Sequence, residues 1–278
     1  MAREGPAFLI AVAFAVVYLP VSSYIYIFDP WLRPLTPAGA ALLLVWAVLL
    51  AMTVVNYTLC FSTKPGEVER DWAESDELLG KRVDWIELFE GPSEEMRNRY
   101  CRCGDAGPGH LLPRCNRCIL RMDHHCPWVY NCIGYHNQGH FARLIIGTAM
   151  LTAMSLGMIF ARLASLVMSL QVDDLPDPQV NEAAIIVTGI NVTVLVPLAS
   201  IMCMLAYNQT KLLLRNVTTI EDLDLQDDIL MGVGSHNPYD LGWVENVKAV
   251  LGPRPLLWWM PQKMEGDGYR FRVRSGSE

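Results

Sequence analysis

Basic charge is the first thing this sequence lacks. Its 22 Lys and Arg are outnumbered by 29 Asp and Glu, for a net charge of −7, and a chain so balanced is not built to hold the phosphate backbone of a nucleic acid. Internal repeats are missing as well. The apolar N-terminal stretch is too long for a removable signal and carries no small-residue cleavage site. Cysteine is sparse outside one stretch, since six of the eight lie between Cys101 and Cys132. Lys and Arg are nearly absent from two short connectors, DPWLRP and QVDDLPDPQVNE, which hold only Arg33.

What the chain has in excess is apolar surface. Of its 278 residues 52% are hydrophobic, and the excess is concentrated in Ala7–Phe28, Ala38–Phe61, Leu144–Leu170 and Ala183–Tyr207. Each stretch supplies the roughly 20 apolar residues that cross a bilayer core. A soluble helical bundle fits poorly, because windows such as AALLLVWAVLLAMTVV are apolar all round and have no face for water. Orientation follows from the basic residues: ten of the 22 fall between Ser62 and His140 and eight between Asn208 and Glu278. By the positive-inside rule both termini and the central segment are cytosolic. Pro20 and Pro197 are expected to disturb their helices.

A reducing cytosol disfavours disulfides, so the cysteine cluster reads as metal binding or catalysis. The stretch offers Cys101, Cys103, His110, Cys115, Cys118, His125 and Cys132 as ligands, and short spacings of this kind let one turn present two ligands to a tetrahedral zinc. Cys126 is left over. A thiol becomes a useful nucleophile beside an imidazole, and a carboxylate on the imidazole's other nitrogen sets its tautomer. Asp123, His124 and Cys126 supply those three types, although neighbours in sequence need not face one another. Holding His125 on a metal pins the loop and leaves His124 free to act as base.

With DHHCPWVYNCIGYHNQGHF preceded by Cys-x2-Cys-ILRM and flanked by four apolar stretches, the chain resembles the DHHC protein S-acyltransferases, which attach palmitate to cytosolic cysteines. TTIE at Thr218–Glu221 matches the family's TTxE, and NPYDLGWVENVKAVLG matches its C-terminal motif at Asn237, Pro238, Tyr239 and Asn246. The tail GPRPLLWWMPQ…GDGYRF is similar to fungal members of the endoplasmic reticulum.

The resemblance implies an all-α membrane protein with four transmembrane helices and a cytosolic zinc-binding cysteine-rich domain between helices 2 and 3. Residues 1–61 would hold the first two helices, 62–140 the cytosolic loop with its cysteine-rich domain from about 100, 141–207 the last two helices, and 208–278 the tail. Cys126 would take palmitate from palmitoyl-CoA as a thioester and pass it to a substrate cysteine, with His124 as base and Asp123 as its orienter. One or two Zn2+ ions, palmitoyl-CoA, membrane lipid and proteins with membrane-proximal cysteines are the expected cofactors and partners, with no nucleic acid. The expected location is the endoplasmic reticulum membrane, or alternatively the Golgi. Trp128 would lie near the acyl chain, Thr219 would bond near Asp123, and Asn246 would tie the tail to the membrane domain.

The chain also departs from the family. Lys64 stands at the aspartate of TDPG, and CRCGDAGPGHLLPRC replaces the basic run that precedes Cys118, with Leu112 where a zinc cysteine belongs. One site (Cys101, Cys103, His110, Cys118) is then complete with unusual spacing, and the other (Cys115, His125, Cys132) is one ligand short. Arg114, Arg117 and Arg121 remain as candidates for the CoA phosphates. The damaged ligand set motivates a second reading, a catalytically weak zinc-containing membrane scaffold.

Overall fold

The computed structural model describes residues 12, 14–33, 35–67, 119–171, 181–232, 237–264, 266, 268 and 271–274. Cys101, Cys103, His110, Arg114, Cys115, Arg117 and Cys118 lie outside them, as do residues 104–114, where the sequence departs most from the family. The chain divides into two compact units, Pro6–Asn56 with Arg143–Gln209, and Tyr57–Ala142 with Thr210–Glu278.

Among the described residues, three helices are long and apolar enough to span a membrane. Helix α1 covers Pro37–Ser62, α2 Gln138–Gln171 and α3 Glu182–Arg215. At 1.5 Å per residue α1 is about 39 Å long and α3 about 51 Å, both beyond the roughly 30 Å hydrocarbon core. Pro197 sits inside α3 without ending it. Ahead of α1 the chain winds through a π turn Phe14–Tyr18, an α turn Leu19–Ser23, a second π turn Tyr24–Phe28 and a short α turn Asp29–Trp31. Pro20 lies in the first turn of Leu19–Ser23, just past the first π turn, where a missing N–H is least disruptive.

The unit of Pro6–Asn56 and Arg143–Gln209 has a core of Leu19, Ile27, Phe28, Trp46, Leu49, Leu151, Met158, Ile159 and Leu195. Phe28 meets Trp46 edge to face at 5.6 Å. Its buried polar groups pair with one another: Trp46 Nε1 donates to Ser155 Oγ at 2.9 Å, and Asn191 Nδ2 donates to Ser22 Oγ at 3.0 Å and Ser23 Oγ at 2.9 Å. In an apolar medium such pairs join helices because water offers no alternative partner.

The other unit departs from an all-α chain in a hairpin of β1 His124–Cys126 and β2 Asn131–Ile133 and an isolated antiparallel bridge between Glu67 and Ile119. These strands are three residues each, too short for an alternating pattern to be read in sequence. The unit's helices include α4 Thr219–Leu230 and α5 Trp243–Leu251, which packs Val247, Val250 and Leu251 against Ala142 and Leu213. Helix α4 starts with a capping box, in which Thr218 Oγ1 accepts from Glu221 N at 3.2 Å and Glu221 Oε2 accepts from Thr218 N at 2.8 Å. The TTIE text is therefore both a helix start and, through the next amide, part of the site.

The segment Thr63–Gly66 shows why Lys64 is tolerated. Its contacts are made by carbonyls: Thr63 O accepts from Asn131 Nδ2 at 2.8 Å, Pro65 O from His136 N at 3.1 Å and Gly66 O from Leu120 N at 2.8 Å. Lys64 itself is exposed. Gly134 must be glycine here, because a Cβ would fall 2.9 Å from Pro65 O and 2.5 Å from Ile119 Cγ2.

Candidate active site

The hairpin sends adjacent side chains to different faces. Successive side chains of a strand point to opposite faces, so His124 and Cys126 share one face of β1 while His125 projects from the other. A 3₁₀ turn at Pro127–Val129 and a left-handed Tyr130 (φ 51°) reverse the chain. In the returning strand His125 pairs with Cys132, and Cys126 with Asn131.

On the first face, His124 Nδ1 lies 2.9 Å from Asp123 Oδ2, and its ring packs edge-on against Phe141 at 4.9 Å. The Cys126 sulfur, on the same face, is the other group that favours the protonated ring. Burial by itself would depress the imidazole's pKa, but Asp123 and Cys126 outweigh it and lift the value from 6.5 to about 9. Asp123 is 1% exposed. Its own burial favours the neutral acid, yet the bonds from His124 and Thr219 hold it below the usual carboxylate range. The Thr219 contact is a backbone N–H at the first turn of α4 donating to Asp123 Oδ1, so the positive end of a helix faces the carboxylate. Cys126 is 5% exposed and not in a disulfide.

On the second face, His125 Nδ1 and Cys132 Sγ stand 3.5 Å apart. Zn–N of about 2.0–2.1 Å and Zn–S of about 2.3 Å in a tetrahedron require a separation of roughly 3.5 Å, so this pair fits a shared zinc. Among the described residues no group of three or more His, Cys, Asp or Glu is arranged to hold a metal ion.

One expected role is corrected. Arg121 is 1% exposed, its Nη2 donates to Asn216 Oδ1 at 2.7 Å, and its guanidinium lies over the Phe271 ring at 5.9 Å. A cation enclosed in that way joins parts of the protein and does not wait at the surface for a CoA phosphate. Trp128 is 52% exposed. Asn246, fully buried, donates to Leu214 O and to Asp240 Oδ1, both at 2.7 Å, and accepts from Leu241 N at 2.9 Å. That places the NPY…N motif against the last turn of α3.

Sequence reasoning passed over the asparagines that bind these pieces together. Asn216, at φ 53°, accepts from Arg121 and donates to Tyr239 O at 3.0 Å. Asn131 spans from β2 to Cys60 O at 2.9 Å as well as to Thr63 O. Asn137 donates to Cys132 O and accepts from Gly134 N, both at 2.9 Å. The available signal was an Asn beside each motif, which in a loop serves turns and backbone carbonyls alike.

A thiol sharing a strand face with an imidazole, a buried carboxylate behind that imidazole, and membrane-length helices together define a membrane enzyme of the cysteine acyl-transfer class. Comparison with known proteins makes this specific. Residues 98–226 match the family model of the DHHC palmitoyltransferases. The chain is 28% identical to probable protein S-acyltransferase 16 of Arabidopsis thaliana over 98% of this chain and 96% of that protein. It is 30% identical to probable protein S-acyltransferase 13 of the same plant over 83% and 77%, and 28% identical to palmitoyltransferase PFA3 of Debaryomyces hansenii over 77% and 60%. This chain belongs to the DHHC palmitoyltransferase family.

Proposed function

We propose that the protein transfers palmitate from palmitoyl-CoA to cysteines of proteins at the cytosolic face of a membrane, by two thioester exchanges at Cys126. The observation that carries this reading is the shared strand face of His124 and Cys126 with Asp123 behind. In the first exchange His124 takes the thiol proton and the sulfur attacks the donor carbonyl. The tetrahedral adduct expels the CoA sulfur, which leaves with the proton from His124. In the second, His124 takes the proton of a substrate thiol, that sulfur attacks acyl-Cys126, and the Cys126 sulfur departs and regains the proton. One thioester replaces another of similar energy, so the enzyme's task is positioning and proton transfer. Asp123 keeps the Nδ1 side of the ring engaged throughout.

Zinc on His125 and Cys132 would hold the hairpin rigid, with Cys115 as a third ligand and Cys101, Cys103, His110 and Cys118 as a second set. Arg114 and Arg117 are the remaining candidates for the CoA phosphates, and Trp128 for the acyl chain. The helical turns from Phe14 to Trp31 would be the first of four spans, with both termini cytosolic in the endoplasmic reticulum membrane.

The test is to incubate purified protein with labelled palmitoyl-CoA. A hydroxylamine-sensitive label on Cys126, absent from Cys126→Ser, is expected. Folded wild-type protein that takes no label would overturn the reading in favour of the scaffold.

A further inference from the structure

A hairpin of two three-residue strands is too small to fix its own position, so something outside it must aim the nucleophile. On the β2 side, Asn131 provides that hold through Cys60 O and Thr63 O at the end of α1. On the β1 side the hold falls in the turn directly after Cys126. There the Tyr57 hydroxyl, one to two turns back along α1, donates to Trp128 O at 3.2 Å. The Trp128 ring is half-exposed, and Tyr130 closes the turn in a left-handed conformation.

We propose that Tyr57 is a positioning residue for acyl uptake: its hydroxyl, donated to the Trp128 carbonyl, sets the 3₁₀ turn behind Cys126 and so the direction from which the sulfur meets the thioester. The proposal rests on Cys126 being the nucleophile and adds a residue that none of the sequence motifs contains. The Tyr57 hydroxyl bonds the Trp128 carbonyl, while His124 bonds Asp123 and His125 stands against Cys132, so the hydroxyl can be removed without taking a partner from His124, His125 or Cys132. A positioning bond should act on the rate of the chemical step and leave donor affinity alone, because small displacements of reacting atoms cost rate steeply.

The experiment compares wild type with Tyr57→Phe, which keeps the ring and loses only the hydroxyl. Zinc content is measured on both as a check of folding. Single-turnover acylation of Cys126 is followed against palmitoyl-CoA concentration, and alkylation of Cys126 by iodoacetamide is followed separately. The expected result is an acylation rate lower by about tenfold, half-saturation by palmitoyl-CoA within about twofold of wild type, and faster alkylation, because a loosened turn uncovers a sulfur now 5% exposed. Unchanged acylation would overturn the proposal. So would weaker donor binding at an unchanged rate, which marks a substrate contact, or acylation and alkylation falling together, which marks an effect on the sulfur's own reactivity. If wild-type Cys126 takes no acyl group, the functional reading has failed on its own. The alkylation comparison then still decides whether Tyr57 governs that sulfur: a faster variant upholds the role, and an equal one removes it.

Discussion

The two units treat asparagine differently. In the unit of Pro6–Asn56 and Arg143–Gln209, Asn191 bonds the side chains of Ser22 and Ser23, and Asn56 Nδ2 folds back 2.8 Å onto Met52 O of its own helix. In the unit of Tyr57–Ala142 and Thr210–Glu278, Asn131, Asn216, Asn237 and Asn246 each donate to a backbone carbonyl of another segment. The difference follows from secondary structure. A helix satisfies its own backbone, so a polar side chain within it pairs with another side chain or folds back on a carbonyl of its own helix. Around the site the backbone is irregular, and buried carbonyls need donors that an amide side chain supplies at low cost. Polar burial holds helices together in one unit and fixes the irregular segments around the candidate site in the other.

That contrast can be broken by substitution. The largest effect is expected from Asp123→Asn, which keeps shape but removes the charge behind His124; Cys126 acylation should fall by about 10³-fold or more, read by single-turnover labelling. Retention of most activity would show that the imidazole needs no carboxylate. Next comes Asn246→Ala, which strips a fully buried group and orphans Leu214 O. A loss of about 2 kcal/mol should appear as a fall of several degrees in Tm, with acylation impaired as the tail loosens. Asn191→Ala should cost less, about 0.6 kcal/mol, since Ser22 and Ser23 can turn to helix carbonyls instead. If it costs as much as Asn246→Ala, the distinction between the units is wrong. The smallest effect is reserved for Lys64→Asp, within about 0.5 kcal/mol, because that segment works through its carbonyls; a thermal shift outside that range would mean the exposed side chain has a partner.

The residues that make the candidate site were legible in DHHC and its surroundings, because a thiol, an imidazole and a carboxylate are recognisable by residue type, and the structure brings Asp123 and His124 together with Cys126 on the same strand face. The three long helices were legible from apolar length. Arg121 was misread for a physical reason: an arginine in a cysteine-rich loop looks like an anion contact until the Phe271 ring and Asn216 are seen to enclose it. Asn216 and Phe271 lie 95 and 150 residues further along the chain, beyond the reach of any local pattern. Tyr57 was invisible in the same way, as one more aromatic in an apolar run.

The order of residues alone determined which atoms are available for chemistry and which stretches belong in lipid, since both depend on side-chain type and local apolar content. Which groups meet was decided by tertiary structure. Two neighbouring histidines face opposite ways because a strand alternates its side chains, and the carboxylate beside His124 is braced because α4 brings an amide to Asp123 from 96 residues away. Direction and long-range closure are properties of the folded backbone, and no single stretch of sequence contains them.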